Sequence, residues 1–222
     1  MNAVLDLFNV LHDPTGVFTR LKEKPRWFVP ALVIIALLMA TAFVLKPFYV
    51  AAAQATMANL PPEQLARVPS PETQALFAVI FTPVFGLLIP LAGAGLLWVT
   101  TALTGTEGRY KVLLSVFTHA NMTYVLFAVV SAAALMARGT QDITSMTDLR
   151  APIGLDLLAP NAGKFLGAFL NGLNPFSVWG VWLTGTGVSL THGTTRGTGM
   201  TVAAIAFLIG LTILSALAIF QQ

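Results

Sequence analysis

Long apolar runs separated by short polar turns dominate the chain. Several of these runs approach the 20 or so residues that a helix needs to cross a bilayer. The pattern predicts five membrane-spanning helices, at about residues 28–46, 73–103, 110–136, 174–190 and 200–220. We therefore expect an all-α integral membrane protein whose five-span membrane domain covers residues 27–222.

A different pattern precedes the first span. Apolar residues recur there at helical spacing while polar residues fill the other positions, which is typical of an amphipathic helix at a membrane interface. These apolar positions are Val4, Leu5, Phe8 and Leu11. Asp13 and Pro14 then supply an N-cap and a first-turn proline for a second short helix. Residues 1–26 are thus predicted to form short amphipathic helices at the cytoplasmic interface.

The composition agrees with a membrane protein and excludes several kinds of site and partner. Only 9% of the 222 residues are charged, against about 25% in soluble domains. The chain has no cysteine, which excludes disulfides, thiolate catalysis and cysteine-ligated metals. No long basic run could follow a nucleic-acid backbone, so we expect membrane lipids rather than nucleic acid as partners.

The basic residues predict the orientation of the chain in the membrane. With five spans, seven of them lie on the side of the N-terminus: Arg20, Lys22, Lys24, Arg26, Arg109, Lys111 and Arg196. Five lie in the longer loops of the opposite side: Lys46, Arg67, Arg138, Arg150 and Lys164. The positive-inside rule then places the N-terminus in the cytoplasm and the C-terminus outside.

One polar cluster occurs within the spans, on the third. It contains His119, Asn121, Thr123 and Tyr124. These side chains could line a ligand, proton or solute pathway. The alternative is that they form hydrogen bonds between helices, worth about 0.6 kcal/mol each. We favour the alternative because a neutral histidine and an amide, without a neighbouring charge, make a poor ion site.

Enzymatic signatures are absent from the sequence. The three histidines do not fall at metal-binding helical spacings, no G-x-S-x-G motif occurs, and no acidic residue lies within the predicted spans. We therefore predict no catalytic, metal-binding or cofactor-binding residue, and a protein that is not an enzyme.

Small residues occur where the spans are expected to touch. Gly93 in the second span, and Gly180 and Gly187 in the fourth, would allow two helix backbones to approach closely. We expect these contacts within one chain. A contact between two copies of the chain is the alternative.

Several local motifs together resemble a known family. Asp13-Pro14 with Phe18 is followed by Pro25-Arg26-Trp27 with Pro30, and Tyr110 begins the third span. Asn174-Pro175-Phe176-Ser177-Val178-Trp179, followed by Gly187, begins the fourth. With the five-span layout, these motifs are similar to those of the Yip (Ypt-interacting protein) domain family. The resemblance implies a cytoplasmic N-terminus and gives Asn174, Pro175 and Trp179 a role in packing.

The resemblance also implies a class of function. Eukaryotic Yip proteins are linked to Rab-type GTPases and to vesicle traffic or membrane shaping, whereas the many bacterial relatives have no settled role. This sequence lacks the long cytoplasmic N-terminal domain and the D-L-Y-G-P motif, which counts against a GTPase partner. It looks more like a bacterial-type member, in the inner membrane.

These observations give two functional hypotheses. The first is a non-enzymatic protein of membrane organisation, which acts as a scaffold through lipids, a membrane-protein partner or a second copy of itself. The alternative is a small transporter or channel with a polar pathway along the third span, beside His119, Asn121 and Tyr124.

Overall fold

The computed structural model describes residues 2–150 and 153–220, and these ranges form helices joined by turns and loops, without a β-strand. The α-helices are α1 Ala3–Asn9, α2 Pro14–Glu23, α3 Phe28–Val44, α4 Lys46–Met57, α5 Pro62–Leu65, α6 Pro71–Leu103, α7 Tyr110–Ala120, α8 Met122–Arg138, α9 Lys164–Gly172, α10 Pro175–His192 and α11 Arg196–Leu217. Short 3₁₀ helices occupy Met146–Leu149, Leu155–Leu158 and Ala218–Phe220.

Three helices in these ranges are long and apolar enough to cross a membrane: Pro71–Leu103, Tyr110–Arg138 and Arg196–Phe220. The pair α3 and α4, bent by 56°, becomes a fourth if it counts as one span. An all-helical membrane protein is therefore confirmed, whereas the predicted number of five spans is not. The predicted fourth span coincides with α10, which carries many threonines and glycines and is not among these candidates.

Two predicted spans differ from the observed helices in their course. The first continues past a break at Leu45 into α4, where the sequence had predicted a loop. Pro47 lies in the first turn of α4, where a proline is tolerated. The third is divided at Asn121, which ends α7 and begins α8.

The central element of the bundle is α10. It packs against α11, α2, α7 and α8. Leu183 and Val188 on α10 are fully buried, and the residues between them are buried as well. By contrast, α6 contacts α3, α4, α7 and α11 and leaves a long apolar flank exposed.

The two N-terminal helices contribute to the core of the bundle. Leu7 of α1 and Phe18 of α2 are fully buried in one cluster with Val116 of α7 and Leu183 of α10. Asp13 caps α2, since its carboxylate accepts a hydrogen bond from the backbone N–H of Gly16 at 2.9 Å. The predicted stripe is wrong in part, because Leu5 and Phe8 are exposed, whereas Leu7 and Val10 are the residues of α1 and its following turn that are buried against other helices.

The contacts define two ends of the molecule. At one end, the backbone N–H of Arg109 donates to His192 Nε2 at 3.2 Å, which joins the turns that follow α6 and α10. The helix α2 packs against α10. At the other end, α9 contacts α11 and the 3₁₀ helices Leu155–Leu158 and Ala218–Phe220.

Candidate functional site

The polar cluster predicted on the third span lies at the junction of α7 and α8, and its members point in different directions. His119 is fully buried and Thr123 is buried. Asn121 is half-buried, whereas Tyr124 is 51% exposed. The structure therefore places His119 and Thr123 in the interior and does not bring all four side chains into one site.

The hydrogen bonds of this cluster are local: one lies within α7 and the other crosses the junction from α8 to α7. His119 Nδ1 lies 2.8 Å from the carbonyl oxygen of Ser115, and Thr123 Oγ1 donates to the carbonyl of Ala120 at 3.0 Å. Within the described residues, His119 Nε2 and Thr118 Oγ1 are buried without a hydrogen-bond partner. A polar pocket in the bundle interior would have to be built around these two atoms.

A partly buried ion pair lies in the N-terminal segment. The Asp6 carboxylate, 3% exposed, accepts hydrogen bonds from Arg20 Nε at 3.1 Å and from Arg20 Nη2 at 2.7 Å. This pair was not predicted from the sequence, because both helices were expected to lie at a solvated interface. The sequence signal for it was the presence of one acidic residue, Asp6, on α1 and one arginine, Arg20, on α2. The pair joins α1 to α2 across the turn between them.

The described acidic residues outside this pair form no candidate metal site, and one of them, Asp148, caps a short helix. The described residues contain no group of three or more histidines, cysteines and acids that could hold a metal ion. Partial burial acts to raise the pKa of Asp148, but hydrogen bonds from the backbone and side chains of Thr144 and Ser145 outweigh it and hold this pKa below its ordinary value. Asp148 thereby caps the 3₁₀ helix Met146–Leu149.

The predicted packing glycines lie at close helix contacts. A Cβ atom at Gly93 would overlap the ring of Phe117, and a Cβ atom at Gly180 would lie 2.8 Å from Thr123 Oγ1. At Gly187, it would meet Val116 and the ring of Phe18. A side chain at any of these positions would therefore force its neighbour to move.

The closest backbone approach involves two other glycines. A Cβ atom at Gly185 of α10 would lie 2.9 Å from the Cα of Met200 on α11, and one at Gly199 would overlap the carbonyl oxygen of Gly185. Backbone atoms cannot rotate away as a side chain can. The Gly-Thr-Gly sequence in each of the two segments indicated helix packing or a turn, but the pairing of these two helices was not predicted.

The Asn174-Pro175 motif forms the N-terminal cap of α10. Asn174 Oδ1 accepts hydrogen bonds from the backbone N–H groups of Phe176 and Ser177, at 3.1 and 3.0 Å. Ser177 Oγ in turn accepts from the backbone N–H of Asn174 at 3.0 Å. Pro175 occupies the first turn, and Trp179 packs against the core cluster that contains Leu183. The motif thus sets where the central helix begins.

Apolar helices, close glycine contacts and polar side chains bonded to nearby backbone carbonyls define an integral membrane protein. The family is also evident: a family model, the Yip1 domain, matches residues 8–217, and the chain belongs to that family. The family is one of non-enzymatic membrane proteins. No curated protein and no solved structure matches the chain.

Proposed function

We propose that this chain is a non-enzymatic scaffold of the bacterial inner membrane that organises the membrane through contacts with lipids or with a membrane-protein partner. The match to the Yip1 domain over residues 8–217 is the observation that carries the proposal. The exposed apolar flank of α6 supplies a long surface for acyl chains or for an apolar partner helix.

We further propose that the chain crosses the membrane five times, with α10 as the fourth span. The helix runs from the end that holds α9 to the end where His192 meets Arg109. Its length is about 27 Å at 1.5 Å per residue, close to the hydrocarbon thickness of about 30 Å. Low hydropathy is acceptable for this helix because its neighbours in the bundle separate much of it from lipid.

The positive-inside rule gives the proposed orientation. Lys22 and Arg109 lie at the same end of the bundle as the N-terminal helices, and we assign this end to the cytoplasm. A reporter that is active only in the cytoplasm should work when fused before Met1 and fail when fused after Gln222. Activity at both positions would contradict the five-span topology.

The transporter alternative is less well supported. The bonds of His119 and Thr123 to carbonyls of the same predicted span, together with the outward position of Tyr124, favour a structural role for the cluster. Changing Asn121 to Leu should shift the free energy of unfolding by at most about 1–2 kcal/mol and leave membrane function intact.

The experiment is a deletion strain in which membrane morphology and lipid composition are measured. We expect the deletion to change both, and wild-type protein and Asn121→Leu to restore them equally. A strain without any membrane change would contradict the scaffold role. A well-folded Asn121→Leu protein that fails to restore the membrane, and that loses solute flux in vesicles, would instead support a transporter.

A further inference from the structure

A surface cavity of about 300 Å³ lies at the end of the bundle where the N-terminal segment meets the two interhelical turns. Three separate parts of the chain form it: the last part of α2, the turn between α6 and α7, and the end of α10. Its lining residues are Lys22, Glu107, Arg109, Thr191, His192 and Gly193. No predicted site residue is among them.

The arginine of this cavity is held in place. Arg109 Nη2 donates to the carbonyl oxygen of Thr191 at 3.2 Å, while its backbone N–H donates to His192 Nε2 at 3.2 Å. A guanidinium group has five N–H donors, so several remain for a ligand. An anchored guanidinium loses less side-chain entropy when it binds an anion than a free one would.

The formal charge of the cavity is positive. Lys22 and Arg109 contribute one positive charge each and Glu107 contributes one negative charge. Within the described residues, Glu107 forms no ion pair with either cation. His192 adds no charge in this arrangement, because its Nε2 accepts a hydrogen bond and its proton is therefore on Nδ1.

The cavity also lies beside a side chain that marks membrane headgroup depth. Trp98 is 48% exposed, and its indole N–H donates to the carbonyl oxygen of Gly108 at 3.0 Å, one residue before Arg109. Tryptophan is enriched where acyl chains give way to headgroups, with its ring in the apolar region and its N–H among polar groups. A cavity adjoining Gly108 is thus within reach of lipid phosphates.

We propose that this cavity binds the phosphate of an anionic phospholipid headgroup, with Lys22 and Arg109 as its direct ligands. Arg109 supplies the planar donors that suit phosphate oxygens, and Lys22 supplies a point charge from the facing helix. The proposal rests on the proposed function and makes it specific, since it names the lipid class that a membrane scaffold would hold at this end.

The test measures lipid binding by the full chain in detergent. The probes are phosphatidylglycerol, phosphatidylcholine and inorganic phosphate, and the variants are Lys22→Gln and the matched control Lys24→Gln. Lys24 is an exposed lysine of the same segment that does not line the cavity. Lys22 is exposed as well, so its substitution leaves the packed core intact.

We expect wild-type protein to prefer phosphatidylglycerol to phosphatidylcholine. Loss of one charge-assisted contact in Lys22→Gln should weaken phosphatidylglycerol binding about tenfold. Lys24→Gln should bind like the wild type. Equal binding by Lys22→Gln and the wild type would overturn the proposal, because Lys22 would then contribute nothing to binding. An equal loss in Lys22→Gln and Lys24→Gln would also overturn it, because the effect would then come from overall surface charge.

The inorganic phosphate arm separates the two sources of the ligand. Phosphate that stabilises the wild type but not Lys22→Gln, without any preference for phosphatidylglycerol, would assign the site to free phosphate and overturn the lipid assignment. The deletion strain described above tests the scaffold role independently. A strain with no membrane change would remove that role and leave the binding result standing, whereas equal binding by Lys22→Gln would remove the site and leave the role standing.

Discussion

Two helices of the same bundle, α6 and α10, differ in the kind of residue that they bury. On α6, large apolar side chains such as Phe81, Phe85 and Leu88 are about half exposed. On α10, small and polar residues such as Thr184, Gly185 and Thr186 are buried. The hydropathy criterion therefore selects α6, whose apolar side chains are exposed, and does not select α10, which packs against four other helices.

Helix α10 tolerates its polar residues because they bond to its own backbone. Thr191 Oγ1 donates to the carbonyl of Gly187 at 2.7 Å, and Ser189 Oγ donates to the carbonyl of Thr186 at 2.9 Å. Such bonds satisfy a hydroxyl without a partner helix. The small side chains then leave room for α11 to come within backbone contact.

The largest expected difference between the two helices concerns large apolar side chains. Leu183→Ala on α10 removes a fully buried side chain and should lower the free energy of unfolding by about 3–4 kcal/mol. Phe85→Ala on α6, where the side chain is 57% exposed, should change it far less. Reversible unfolding in mixed micelles measures both. Equal losses would show that α6 is packed against something beyond this chain.

A smaller but still large difference is expected for added side chains. Gly185→Leu on α10 would drive a side chain into the backbone of α11 and should cost about 2–3 kcal/mol. Gly95→Leu on α6 is the matched control, since nothing lies within 4 Å of a Cβ atom there. Thermal denaturation in detergent should separate the two variants clearly. A stable Gly185→Leu protein would contradict the tight crossing of α10 and α11.

The smallest difference should come from the helix caps. Asn174→Ala removes a buried cap that accepts two backbone hydrogen bonds, at a cost of about 1–2 kcal/mol. Ser70→Ala removes the exposed cap of α6, whose single bond to the backbone N–H of Thr73 is 3.3 Å long, and should cost about 0.5 kcal/mol. Chemical denaturation of the two variants side by side gives the comparison, which fails if Ser70→Ala is the more damaging.

Local signals in the sequence predicted where several helices begin. Asp13-Pro14 predicted the start of α2, and the structure shows the same combination of a capping side chain and a first-turn proline at the start of α6, with Ser70-Pro71, and of α10, with Asn174-Pro175. Caps depend on neighbours along the chain, so they are visible in sequence. The helix α4 was missed because its bend against α3 depends on packing against α6, which is distant in sequence.

The candidate site was predicted less well, for a physical reason. His119 and Thr123 are four residues apart, on either side of the junction of α7 and α8, and are both buried. Tyr124 is five residues from His119, and the helical period alone turns it toward the outside. The cavity lined by Lys22, Arg109 and His192 joins segments that only the fold brings together, so no pattern along the chain could reveal it.

The burial of α1 and α2 within the bundle has a consequence for biogenesis. Phe18 shares its cluster with Val116 and Leu183, which a ribosome adds much later. During translation, α1 and α2 therefore emerge before their packing partners have been synthesised. Their amphipathic pattern suits transient binding at the membrane surface in the meantime. Docking of α1 and α2 is therefore complete only after α10 has been synthesised.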